Sequence, residues 1–135
     1  VSNPRPAAIL GAAAITIAMA GLVALIAMWD LATNLSGMTG PQIGTDAYYL
    51  VVAALLIPAS MALLSGRAWP RAVLATAHLL LVLSMLALSG FLGWLAAIPA
   101  GLSVTALALL ATPAARAFVA ANRRPGFLFA DEADS

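Results

Sequence analysis

Hydrophobic positions in this chain come in unbroken runs, with neither the alternation of a strand nor the polar stripe of a soluble amphipathic helix. No residue charged at neutral pH occurs from Ala7 to Trp29, from Ala47 to Leu64, or from Ala72 to Ala115. At about 1.5 Å rise per residue, some 20 apolar residues cover the roughly 30 Å hydrocarbon core of a bilayer. The first two runs therefore predict membrane helices over about 7–29 and 47–64. The third would be about 66 Å long as one helix, twice the core thickness. It predicts two helices, about 72–89 and 95–111, parted at Ser89-Gly90-Phe91-Leu92-Gly93-Trp94.

Thr112-Pro113 is an N-cap and first-position pair. It is read either as the start of an interfacial helix over about 113–122, with Phe118 and Val119 against the membrane, or as a kinked continuation of the fourth span. The expected fold is all-α: a four-transmembrane-helix bundle over 1–124, followed by a tail over 125–135 in which Phe127-Leu128-Phe129 precede an acidic end. The first run is longer than the roughly 7–15-residue core of a signal peptide, and no small-residue cleavage site follows it closely, so it reads as a retained helix. Pro58 inside the second span predicts a kink.

The polar breaks set the topology. Asp30–Asp46 reads as a long irregular loop punctuated by Gly37, Gly40, Pro41 and Gly44, with Asp46 placed to cap the second span. Such a loop serves either as a spacer or as a contact surface for a partner. Its Asn34-Leu35-Ser36 matches a glycosylation sequon, a three-residue pattern too short to carry weight. Ser65–Arg71 is the basic turn between two hairpins. With four crossings, Arg5, Arg67, Arg71, Arg116, Arg123 and Arg124 all fall on one side, while Asp30 and Asp46 fall on the other. The positive-inside rule makes the arginine side cytoplasmic, giving a multi-pass protein of the cell inner (plasma) membrane with both termini inside. Arg67, Trp69, Arg71, Arg116, Arg123 and Arg124 then lie at anionic lipid headgroups, and Trp29, Tyr48 and Tyr49 form the opposite aromatic belt.

Composition narrows the function classes. The chain of 135 residues is 64% hydrophobic and 8% charged, against about 25% charged in soluble domains. A net charge of +1 gives no basic face for nucleic acid. With no cysteine there is no disulfide, iron–sulfur or thiolate chemistry. All six basic residues are arginine, which removes a Schiff-base lysine. No carboxylate lies deep in a span, unlike the small four-helix multidrug transporters with their buried acid in the first helix. Ser60, Ser84, Ser103 and Thr105 are scattered and His78 has no carboxylate to orient it, so no catalytic set and no metal cluster is expected, and the chain reads as a non-enzyme.

Two features remain as candidates. His78, the one histidine, falls about two turns into the third span, where an ionisable residue is a functional hypothesis by default. It reads as a haem or quinone contact, a proton relay, or a neutral imidazole bonded to a neighbouring helix. Ala8, Ala12, Thr16, Ala20 and Ala24 fall four apart as a small-residue stripe on the first span. Such a stripe lets backbones approach closely in lipid, either within the chain's own bundle or against a partner subunit.

Arg67-x-Trp69-x-Arg71 before the third span and Leu110-x-Thr112-Pro113-Ala114-Ala115-Arg116-Ala117 after the fourth resemble small four-helix integral membrane proteins of actinobacteria. The resemblance covers the whole four-helix plan and implies no activity, cofactor or site residue. Some such proteins are accessory subunits of respiratory assemblies. The leading expectation is accordingly a non-catalytic accessory subunit of a larger membrane complex, with no cofactor of its own. The alternatives are a small homo-oligomeric carrier or channel with Pro58 and His78 lining its cavity, and a haem- or quinone-contacting subunit.

Overall fold

A computed structural model describes residues 4–122. It contains α1 (Ala7–Asn34), α2 (Gly40–Leu64), α3 (Trp69–Leu92), α4 (Ala97–Ala111) and α5 (Pro113–Ala121), with 3-10 turns at Leu35–Gly37 and Gly93–Ala96. No strand occurs among the described residues. Four helical segments are long and apolar enough to cross a membrane, so the chain is an all-α bundle of the multi-pass membrane type. Arg123, Arg124 and the tail over 125–135 lie outside the described residues.

The start of α1, the end of α2, the start of α3 and the end of α4 meet in one apolar cluster of Ile9, Ala12, Ala59, Leu63, Leu74 and Leu110. We call this the basic end, since Arg5, Arg67, Arg71 and Arg116 flank it. At the other, acidic end sit Asp30 and Asp46. Large apolar side chains such as Leu25, Leu55, Leu83 and Leu86 point outward and are more than half exposed. In water such a surface would drive aggregation; in lipid it costs nothing, and small residues fill the interior instead.

The acidic end corrects the expected loop. The segment 30–46 is mostly helical: α1 runs on to Asn34, and α2 already begins at Gly40. The reversal occupies only the residues between, because Thr39 and Gln42 close a capping box in which the Thr39 amide donates to Gln42 Oε1 at 2.7 Å. Pro41 then falls in the first turn, where the amide it lacks has no intrahelical partner anyway. Thr39 therefore caps α2, not Asp46, which lies nearly two turns inside the helix. At the far side, α3 passes Ser89 and Gly90 and ends at Gly93, whose φ of 57° breaks the helix.

Thr112 resolves the reading of the fourth span. Its backbone is extended (φ −60°, ψ 147°) and its hydroxyl accepts from the Ala115 amide at 3.3 Å, so α5 is a new helix. The expectation that Phe118 and Val119 meet the membrane is corrected. Both are buried against the basic-end cluster with Ala115, and α5 closes that end of the bundle. Closure buries the ring of Phe118 beside Ile9, Leu63, Leu74 and Leu110, an apolar pocket that lipid headgroups would otherwise wet.

The central turn between α2 and α3 holds α5 in place. Gly66 has φ 79°, and a Cβ there would stand 2.7 Å from Asn122 Cβ. Gly66→Ala is expected to cost about 1–3 kcal/mol through the left-handed backbone and the displaced side chain. Gly21→Ala on α1, where a Cβ meets nothing within 4 Å, is expected to be neutral or up to about 1 kcal/mol stabilising. Unfolding in mixed micelles, followed by far-UV circular dichroism, compares the two.

Candidate functional site

Three helices place polar side chains at one depth. Thr16 lies nine residues into α1, His78 nine residues into α3, and Ser103 eight residues before the end of α4. Each is therefore about 12–14 Å from the basic end. All three are buried. His78 Nε2 is 2.8 Å from Thr16 Oγ1, and His78 Nδ1 is 3.2 Å from Ser103 Oγ. Thr16 Oγ1 also bonds the Ala12 carbonyl at 2.8 Å.

Donor counting assigns the protons. A hydroxyl has one hydrogen, and Thr16 gives it to the Ala12 carbonyl. Thr16 Oγ1 can then only accept from His78, which puts the imidazole hydrogen on Nε2. Nδ1 is left as an acceptor, and the Ser103 hydroxyl donates to it. The result is a chain of three bonds: Ser103 O–H to Nδ1, Nε2–H to Thr16, Thr16 O–H to the Ala12 carbonyl. The reverse assignment would leave the Ala12 contact and the Ser103 hydrogen without partners. His78 is thus a satisfied neutral imidazole that ties α1, α3 and α4 together.

This arrangement limits the chemistry of His78. Both ring nitrogens are engaged, so neither is free to ligate iron or to bond a quinone carbonyl without breaking the chain. No group of three or more metal-ligating side chains exists among the described residues. Pro58, expected to line a cavity in the carrier reading, is exposed on the outer face of α2.

The small-residue stripe is spent inside the bundle. Ala12, Thr16 and Ala20 are buried by the chain's own helices, and Ala8 and Ala24 are half-buried. This is the within-bundle alternative of the two: the stripe brings α1 against α2 and α4. The sequence shows Thr16 only as a small residue of the stripe and Ser103 only as one of several scattered hydroxyls, so neither stands out as a partner of His78. The signal was the shared depth of the three residues on α1 and α3, which run the same way, and on α4, which runs against them.

The two ends carry opposite charge. At the basic end, Arg71 Nε donates to the Leu110 carbonyl at 3.0 Å and Arg116 Nε to the Ala111 carbonyl at 3.0 Å. Arg67 and Trp69 are exposed in and beside the central turn. At the acidic end Asp30 and Asp46 are near enough to repel each other. Asp46 is 9% exposed and its Oδ2 has no hydrogen-bond donor, while Asn34 Nδ2 donates to Asp30 Oδ1 at 2.6 Å.

Two neighbouring carboxylates with no cationic partner among the described residues repel each other. Asp46→Asn removes one charge of the pair. It is expected to stabilise the bundle at neutral pH by relieving that repulsion. The gain shrinks on acidification, because protonating one carboxyl of the pair does the same work as the substitution. Micelle unfolding of both chains at neutral and acidic pH measures it.

Comparison with protein-family models, curated protein sequences and solved structures gives no match.

Proposed function

We propose that this chain is a non-catalytic subunit that packs against larger proteins within the plasma membrane. The observation carrying this reading is the saturated His78: the one ionisable side chain buried at mid-bundle serves the contact of three helices, and neither ring nitrogen is left for a ligand. A carrier whose path ran through a single bundle would need an open interior, yet at His78 it is filled by Thr16 and Ser103. A haem or quinone subunit needs an open imidazole nitrogen.

The orientation we propose has both ends of the chain in the cytoplasm. It rests on the arginines at the basic end and on their absence from the other. The exposed Trp29, Tyr48 and Trp94 then form an outer aromatic belt. From Trp29 to Asn34 the α1–α2 hairpin continues about 8 Å past that belt. Its tip presents Asp30, Asn34 and Gln42 around an open cleft of about 340 Å³. We take this outer hairpin, with the exposed Leu22, Leu25 and Ile26 below it, as the partner-facing side in place of the buried stripe.

Tagged full-length chain, solubilised mildly and purified, is expected to bring larger membrane proteins with it in fixed proportion. Leu22→Ala with Leu25→Ala is expected to reduce their yield at least fivefold while micelle stability changes by less than about 0.5 kcal/mol, as usual for exposed positions. Undiminished recovery of the same partners would remove this face.

A further inference from the structure

The basic end contains an arrangement that neither topology nor bundle packing requires. We propose that Arg71 and Arg116 bind the phosphate of one anionic phospholipid whose acyl chain lies in the groove between α3 and α4.

The site is built at the end of α4. Leu110 and Ala111 are the last residues of that helix, and their carbonyls have no intrahelical donor. Arg71 reaches one from α3 and Arg116 reaches the other from α5, each through Nε at 3.0 Å. Two guanidinium groups from different helices are thereby tethered to consecutive carbonyls. Each bond uses only Nε, and the Nη amino groups make no hydrogen bond within the described residues. They are the donors that fit phosphate oxygens in a forked geometry. The acidic side chains among the described residues, Asp30 and Asp46, are both at the opposite end, so no carboxylate of the described residues neutralises the pair.

The floor beside Arg71 is apolar; Arg116 does not line it and reaches its edge through the carbonyl of Ala111, which does. A groove of about 560 Å³ runs from Arg71 past Ala72 and Ala75 on α3 and Leu107 and Ala111 on α4. The alanines are what make it concave, since larger residues at 72 and 75 would fill it. A cationic mouth over an apolar channel complements a ligand with an anionic head and a hydrocarbon tail. A free anion would use the mouth and leave the channel wet. Basic pockets between membrane helices on the cytoplasmic side take anionic lipid headgroups in this manner. The inference is independent of the subunit reading, because lipid binding needs no protein partner.

The test is native mass spectrometry of the purified full chain in detergent, titrated with phosphatidylglycerol or phosphatidylcholine. One phosphatidylglycerol is expected to be retained in preference to phosphatidylcholine. Each arginine contributes about fivefold in affinity, so Arg71→Gln with Arg116→Gln is expected to weaken binding by about 25-fold. Arg67→Gln, in the same end but outside the groove, is expected to change it less than twofold. Arg116→Gln alone, on an exposed residue, gives the fivefold reading if the double variant does not fold. Ala75→Leu, which fills the channel and leaves the charge, is expected to lower lipid retention as well.

Equal retention of the two lipids, or undiminished phosphatidylglycerol binding in Arg116→Gln, would overturn the proposal. So would full competition by inorganic phosphate at the same concentration, which would make the site one for a free anion. Binding seen only after removal of residues 125–135 would also overturn it, by assigning the arginines to the acidic tail.

Discussion

His78→Ala is expected to lower the unfolding free energy by about 2–4 kcal/mol, the range for emptying a buried side chain. Most of this is lost packing. Hydrogen bonds between membrane helices contribute only about 0.6 kcal/mol each on average, because the separated helices find other partners. Thr16 keeps its bond to the Ala12 carbonyl in the variant, so its share of the loss is small. The informative comparison is therefore a triple variant. Thr16→Val, His78→Leu and Ser103→Ala together replace the polar chain by apolar groups of similar bulk, leaving no donor or acceptor stranded. Removing both sides of a buried polar contact is often nearly neutral, whereas removing one side is not. The triple variant is expected to recover all but about 1 kcal/mol. It also separates packing from chemistry. If His78 bound a cofactor or moved protons, the triple variant would fold and still lose that property. An unchanged stability in His78→Ala would show that the three-helix contact contributes little.

Ala12→Leu is the second large effect. Ala12 is fully buried against Ile9, Ala59, Leu63 and Leu110, and its carbonyl anchors Thr16. Overpacking a filled site costs about 1–3 kcal/mol, and here it also pushes α1 away from the His78 chain. We expect the upper part of that range. Ala14→Leu makes the same chemical change two positions along, on the exposed face of α1. It is expected to shift stability by less than about 0.5 kcal/mol. Micelle unfolding of the isolated chain reads both variants. If Ala12→Leu left the isolated chain intact and only weakened assembly with other proteins, the stripe would be a docking face after all.

The bundle was legible in the chain because bilayer thickness is a hard ruler. Charge-free runs of known length mark four helices long enough to cross lipid, although α1 and α3 run past the expected ends to Asn34 and Leu92. The Thr112-Pro113 pair left two readings open until the Thr112 backbone separated them. The acidic end was less legible. Gly37, Gly40, Pro41 and Gly44 carry loop signals individually, yet the Thr39–Gln42 box places the proline in a first helical turn and makes the glycines tolerable. That is a two-residue contact, which composition does not display. Phe118 and Val119 were visible as an apolar face, but an apolar face does not say whether lipid or protein covers it. The covering surface comes from four other segments of chain. His78 stood out as an ionisable residue within a span, and its neutral, bonded reading was one of those open in the sequence. Its partners were hidden because Thr16 and Ser103 lie 62 and 25 residues away, joined only by depth.

The central claim is that the interior of this bundle serves packing and that its outer α1–α2 face serves assembly. Co-purification of the triple variant Thr16→Val, His78→Leu, Ser103→Ala after mild solubilisation tests both halves at once. The account predicts the same larger membrane proteins, in the same proportion as with the unaltered chain. Recovery of both chains only as free monomers, or loss of the partners in the triple variant while its helix content is intact, would contradict it.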